Sequence, residues 1–256
     1  DTLLNKRPKD YDICTNALPE QIQEVFKNDK LLLFGLKHGT ITVVKGRSCY
    51  EITTYRVDGQ YSDGRHPDSV SFTGNLREDL KRRDFTINAM AYDVYKRKII
   101  DPFGGVKDLK NKVISCVGNA EERFNEDALR IMRALRFSSV LGFKIAPETK
   151  KAIFKLYKNL EHVSWERINA ELTKLLSGKN AVSVLREYSE IIFFLIPELK
   201  PCAGFNQNNK YHLHDVWEHT LRVVENTPAN DIVLRLTALF HDVGKPDTYV
   251  IGEDGQ

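Results

Sequence analysis

Glu126-Asp127-Ala128-Leu129-Arg130-Ile131-Met132-Arg133-Ala134-Leu135-Arg136-Phe137 sets one carboxylate and three guanidiniums three residues apart in a strongly helix-forming run. Three residues on an α-helix is about 300° of rotation and about 4.5 Å of rise, so Asp127, Arg130, Arg133 and Arg136 are expected to form a slowly winding ridge roughly 13 Å long. That is the length of a nucleoside triphosphate. Leu129, Ile131, Met132, Ala134 and Leu135 can bury the rest of the surface. A plain solvated face would instead intersperse lysine and glutamate pairs.

The head of this ridge can read the edge of a base. A carboxylate accepts from an exocyclic amine and a guanidinium donates to a ring nitrogen, an order that cytosine and adenine offer and that uracil and guanine reverse. Each mismatched contact costs roughly 1–3 kcal/mol. An isolated D-x-x-R also describes an ordinary amphipathic helix with an i,i+3 salt bridge, so the stretches upstream decide between the two.

Upstream stands Lys9-Asp10-Tyr11-Asp12-Ile13-Cys14, followed by a helix-like Pro19 to Phe26 with proline in its first turn. If residues 10 to 13 are a strand, Asp10 and Asp12 share a face, because strand side chains alternate. Adjacent carboxylates repel unless a cation lies between them, and hard oxygen ligands favour Mg²⁺. Taken alone, D-x-D is most often a turn or exposed surface. His38 to Val44 and Tyr50 to Arg56 read as a hairpin turning at Lys45-Gly46-Arg47-Ser48, with Glu51 in mid-strand. Glu51 is either a solvent-facing strand residue or a third acidic ligand of a two-metal site.

These pieces occur together with Arg82-Arg83-Asp84-Phe85-Thr86-Ile87-Asn88-Ala89 and Asp101-Pro102-Phe103-Gly104-Gly105. Their order and spacing closely resemble the class II tRNA nucleotidyltransferases, which comprise the CCA-adding enzymes and the bacterial poly(A) polymerases related to them. The resemblance covers essentially the whole chain. It implies that Asp10 and Asp12 hold Mg²⁺ with Glu51 as the third acidic residue, and that Arg83 and the 127/130/133/136 ridge hold the incoming CTP or ATP. The tRNA 3′ end would be the acceptor, and pyrophosphate would leave. Alternatives are a poly(A) polymerase using the same pocket for ATP only, an HD-type phosphodiesterase or phosphatase with a vestigial head, and a non-enzymatic remnant.

The family opens on a Gly-Gly-x-x-Arg-Asp turn, whereas this chain opens on Asp1-Thr2-Leu3-Leu4 and closes on Gly252 to Gln256 within an expected hairpin. It is therefore read as an internal fragment, lacking the phosphate-binding turn and weak or inactive by itself. Near the end, His219, His241 and Asp242 match the ligands of the HD superfamily of metal-dependent phosphohydrolases. Two imidazoles and a carboxylate suit Mn²⁺, Ni²⁺, Fe²⁺ or Zn²⁺. Packing of the two histidines in a helical core is the competing reading, and His212 and His214 are weaker candidates.

The expected fold class is α+β. Residues 1–118 form a mixed-sheet head with strands at 10–13, 31–36, 39–44, 49–55 and 98–101. Residues 119–210 form an all-α neck, with helices opening at Pro147, capped by Ser164, and beginning at Asn180. Residues 211–256 begin the HD-like domain. A net charge of +3 over 256 residues leaves RNA binding to local basic patches. Cys14, Cys49, Cys116 and Cys202 lack C-x-x-C spacing, which points to a reducing compartment and hence the cytoplasm. No apolar run is long enough to span a membrane.

Overall fold

The computed structural model describes residues 2–8, 11–61, 64, 67–206 and 214–248. The chain forms two compact units, Asp1–Gly105 and Val106–Gln256.

The first unit is built on a mixed four-stranded sheet from β1 (Asp12–Thr15), β2 (Lys30–Leu32), β3 (Thr40–Lys45) and β4 (Ser48–Thr54), in the order β1-β4-β3-β2. The β3–β4 hairpin folds where expected, because Gly46 takes the left-handed backbone, φ +62°, that its tight turn requires. β1 then pairs parallel to β4. Between them runs α1 (Pro19–Val25), with Pro19 in its first turn. Ile22 of α1 packs with Ile41, Val43 and Ile52 on one face of the sheet. Each such side chain taken from water contributes about 1.5–3 kcal/mol.

Two expectations shift. The first strand starts at Asp12 rather than at residue 10, and Asp10 lies outside the described residues. The strand expected at 31–36 is Lys30–Leu32, after which a 3₁₀ turn, Leu36–His38, takes the chain round to Gly39 at φ +77°. The apolar run continues past residue 32, but the two glycines around the turn override it.

Two small hairpins complete this unit, β5 (Arg56–Asp58) with β6 (Val70–Phe72) and β7 (Ala91–Asp93) with β8 (Lys98–Ile100). A helix, α2 (Leu76–Lys81), is capped by Asn75. The Asp101 to Gly105 motif is a backbone device. Asp101 accepts from the Gly105 amide at 2.7 Å, and a Cβ at residue 105 would lie 2.2 Å from the Thr86 carbonyl oxygen, so only glycine fits. α3 (Gly105–Asn111) starts there.

Among its described residues the second unit is helical apart from a two-residue parallel pair, β9 (Val113–Ile114) and β10 (Lys144–Ile145). Its helices are α4 (Ala120–Glu126), α5 (Leu129–Leu141), α6 (Pro147–Leu156), α7 (Trp165–Leu176), α8 (Ala181–Glu187), α9 (Ser189–Leu195), α10 (Val216–Glu225), α11 (Ile232–Phe240) and α12 (Lys245–Thr248). Leu129, Ile131, Met132, Ala134 and Leu135 are buried, as the pattern of α5 requires. Ser164 stands at the start of α7, but its side chain makes no capping bond; its carbonyl accepts from Arg167 and Ile168 instead.

α5 and α7 pack side by side, and their ends meet at Gly178, where a Cβ would fall 2.0 Å from Ser139 Oγ. Arg235 of α11 reaches into the same corner. It donates to the carbonyls of Leu176 at 2.6 Å and Gly178 at 2.9 Å, satisfying groups left open at the end of α7. Burial pushes its pKa below the ordinary arginine value.

Candidate active site

Register places two of the expected carboxylates together. Asp12 of β1 is the direct partner of Glu51 on the parallel strand β4, and Glu51 is the partner of Thr42 on β3. Register partners point to the same face, and neighbouring strands lie about 4.8 Å apart. Ile52, adjacent to Glu51, points the other way into the core. The two carboxylates therefore stand side by side on the face opposite α1, both exposed.

Cys14 follows on that face, two residues beyond Asp12. Burial raises its thiol pKa, and the Arg83 guanidinium is the next influence, pulling it down; Asp79, Arg82 and Asp12 also act on it. Arg83, Arg82 and Asp12 thus lie within electrostatic reach of one thiol. Arg83 donates to the Asn88 carbonyl at 3.2 Å and lies 3.7 Å from Asp79. Arg82 pairs with Asp79 at 2.9 Å, Asp79 also accepts from the Arg56 amide at 3.2 Å, and Arg56 pairs with Asp58 at 3.0 Å. Asp79 is 1% exposed, so this is a desolvated network in which each charge needs its partners. Burial, followed by the like charge of Arg82, lowers the Arg56 pKa. Asp84 stiffens the turn from inside by accepting from the Phe85 amide at 2.8 Å and the Asn88 side chain at 3.1 Å. Sequence reasoning singled out Arg83 but missed Asp79, a buried aspartate in an otherwise charged helix, which orients both arginines.

In the second unit the expected ridge is shorter at its head. Asp127 is not helical: it follows α4 with an extended backbone, φ −150° and ψ 105°, and α5 begins at Leu129. The reason is the carboxylate itself. Aspartate competes for nearby amides, and Asp127 Oδ1 accepts from the Leu129 N–H at 3.0 Å, capping α5 from outside. Its Oδ2 pairs with Arg167 of α7 at 2.8 Å. Arg130, Arg133 and Arg136 do follow one another along α5, partly buried. Arg130 donates to the Arg123 carbonyl at 3.1 Å and to Glu126 at 2.6 Å. Arg136 pairs with Glu171 and lies 3.9 Å over the Phe137 ring, with Arg133 at 5.6 Å from the same ring. The ridge is thus a fixed array, held by α4 at one end and α7 at the other.

A third constellation closes the described chain. The ligand atoms of His219, His241 and Asp242 lie within 4.8 Å of one another. His241 Nε2 is 3.3 Å from His219 Nε2 and 3.1 Å from Asp242 Oδ2, which is 3.5 Å from His219 Nε2. His241 Nδ1 lies 2.8 Å from the Ala238 carbonyl, a contact that places the proton on Nδ1 and turns the Nε2 lone pair inward. Asp242 Oδ2 is buried, and Lys245 Nζ pairs with it at 2.8 Å. A buried carboxylate oxygen facing two imidazoles is a donor set that fits a transition metal. His212 lies outside the described residues, and His214 is not in the cluster.

Residues 1–115 match the family described as Poly A polymerase head domain, and residues 142–202 match one described as Probable RNA and SrmB-binding site of polymerase A. A CCA-adding enzyme of Oceanobacillus iheyensis is 50% identical over 186 residues, which is 73% of this chain and 46% of that protein. One of Leuconostoc citreum is 50% identical over 203 residues, 78% of this chain and 49% of that protein. The chain thus spans about half the length of the curated relatives it matches. Among solved structures, the Bacillus stearothermophilus CCA-adding enzyme in complex with CTP superposes with a TM-score of 0.73 at 40% identity, over 95% of this chain and 56% of that one. A tRNA nucleotidyltransferase complexed with a primer tRNA and an incoming ATP analog gives 0.63 at 26% identity, over 98% of this chain and 66% of that one.

Proposed function

Because the chain belongs to the family of tRNA nucleotidyltransferases and poly(A) polymerases, we propose that its protein adds C and A to the 3′ end of tRNA from CTP and ATP, releasing pyrophosphate. The observation that carries this reading is the register of Asp12 with Glu51 on an open sheet face. The relatives named as CCA-adding enzymes, and the neighbours bound to CTP or to primer tRNA with an ATP analog, support it.

Asp12 and Glu51, with Asp10, would hold Mg²⁺; their donor set of hard, exposed carboxylate oxygens fits that ion. When bound, the ion supplies charge neutralisation at the phosphates and lowers the pKa of the attacking hydroxyl. Arg83 is positioned by Asp79 and Asn88 to donate to the nucleotide, and Arg130, Arg133 and Arg136 are proposed to bind it as well. Asp127 reads the base. Leu129 and Arg167 each occupy one site on its oxygens, and a carboxylate offers about four, so it can still accept from an exocyclic amine.

The four free cysteines suit a cytoplasmic enzyme, and among the described residues no helix is long and apolar enough to cross a membrane. The deciding experiment incubates the full-length protein with tRNA lacking its CCA end and labelled CTP or ATP in turn. Addition of C and then A supports the proposal. Tails of A on any RNA indicate a poly(A) polymerase.

A second reading rests on the His219, His241 and Asp242 cluster, which would hold a transition metal and confer a separate phosphodiesterase or phosphatase activity.

A further inference from the structure

The β7–β8 hairpin has a composition that its place in the fold does not require. Its register pairs Ala91 with Ile100, Tyr92 with Ile99 and Asp93 with Lys98, leaving Val94-Tyr95-Lys96-Arg97 as the connection. A hairpin that only completed the unit would turn its aromatic side chains inward. Here Tyr92 is 60% exposed, Val94 67% and Tyr95 95%, and Lys96, Arg97 and Lys98 are exposed beside them. Three consecutive cations and two tyrosines therefore project from a segment of ten residues.

The tip is also pre-shaped. Asp93 Oδ1 accepts from the Tyr95 amide at 3.0 Å and the Lys96 amide at 2.9 Å, and these bonds hold its carboxyl below the usual aspartate range, the Lys96 amide foremost. Arg97 takes the left-handed backbone at φ 51°, a conformation few non-glycine residues adopt. Strain of this kind, held by a surrounding hydrogen-bonded turn, presents side chains in one arrangement at little ordering cost on binding.

We infer that this hairpin is an RNA-docking finger, in which Tyr95 and Tyr92 stack on unpaired bases of the acceptor RNA while Lys96, Arg97 and Lys98 pair with flanking backbone phosphates. Flat aromatic faces interleaved with cations match a chain of π-faced bases on a polyanion. A protein interface would be depleted of lysine at its centre. The inference rests on the proposed use of RNA as substrate, and it adds an RNA-binding surface in the first unit to the residues assigned above.

The test measures binding of a fluorescent tRNA transcript lacking its CCA end to the full-length protein at several salt concentrations. Tyr95→Ala is expected to weaken binding roughly five-fold or more, as loss of a base stack does. A Lys96→Ala/Lys98→Ala double variant should lower the slope of log affinity against log salt by roughly 0.7–0.9 for each phosphate that is no longer neutralised. Arg97→Gly removes a charge while keeping the left-handed backbone, so a similar drop in slope there shows that charge and not turn geometry is responsible. Melting temperature and the KM for CTP should not move in any variant. Unchanged tRNA affinity and salt slope in all three would overturn the inference even where C and A are still added. Loss of binding in the variants of a protein that adds no nucleotide would support the finger and reject the transferase reading. If the variants instead lose only cosedimentation with phosphatidylserine vesicles, the hairpin is a membrane contact and the RNA assignment is wrong.

Discussion

Asp12 and Glu51 are direct register partners on the parallel strands β1 and β4, so a pairing that runs the length of β1 sets the spacing of the two backbone positions that carry the carboxylates. Separating them means opening the first pair of the β1–β4 ladder. Ile41, Val43 and Ile52 anchor the opposite face of the sheet, and the two like charges face solvent on the open one.

The first prediction follows from that geometry. Asp12→Asn should lower nucleotide transfer at least about a hundredfold, because a misplaced ligand costs that much even at ångström scale. Both carboxylates are exposed, so folding stability should change by less than about 0.5 kcal/mol. Turnover near the parent value at saturating Mg²⁺, measured on the full-length protein, would show that Asp12 holds no ion.

A second prediction separates base reading from helix capping at Asp127. Asp127→Ala removes the acceptor of the Leu129 amide and strands Arg167, so it should cost about 1–2 kcal/mol of stability as well as letting UTP compete with CTP. Arg167→Ala breaks the same ion pair but keeps the carboxylate, so it should cost stability without relaxing UTP exclusion. Equal relaxation in both variants would mean that Asp127 acts only by holding α5 against α7.

Much of this was legible in the sequence because local rules governed it. Turn chemistry at Gly46, proline at the heads of α1 and α6, and the apolar pattern of α5 all gave the right elements. The start of α5 was not legible, because the spacing of Asp127 fits a helix as well as it fits a cap; only the competition between its carboxylate and the helix ladder decides. The pairing of Asp12 with Glu51 was foreseen as chemistry and not as register, since strand order is a long-range outcome. In the Asp79 network the Arg82 and Arg83 pairs are local, at i,i+3 and i,i+4, but the Arg56 amide comes from β5 and burial of the carboxylate is a long-range outcome.

A third prediction concerns pH. Glu218 of α10 pairs with Arg186 of α8, and that hydrogen bond is the main reason its carboxyl sits below the usual glutamate value of 4.5. A depressed folded-state pKa means the pair stabilises the fold above the unfolded value and is lost as pH falls through the folded one. Glu218→Gln should therefore melt lower than the parent at neutral pH and converge with it in strong acid. A parallel offset at every pH would assign the loss to packing instead of charge.

The last prediction concerns the cluster at the end of α11. If His219, His241 and Asp242 hold a metal, the purified full-length protein should carry a transition metal by elemental analysis, and His241→Ala should release it together with any hydrolysis of 2′,3′-cyclic nucleotides. Addition of C and A should persist, because the Asp12 and Glu51 carboxylates belong to the other unit. Asp242 sharpens the test. Its Oδ2 is buried beside Lys245, so in a metal-free protein that single cation neutralises it. Lys245→Met should then destabilise a metal-free protein by about 1–3 kcal/mol, the cost of leaving a buried acceptor unmet, and added Zn²⁺ or Mn²⁺ should restore most of the loss through binding to the folded state. A protein that takes up no metal, and whose Lys245→Met variant is not rescued by any, has two surface histidines there that hold no ion.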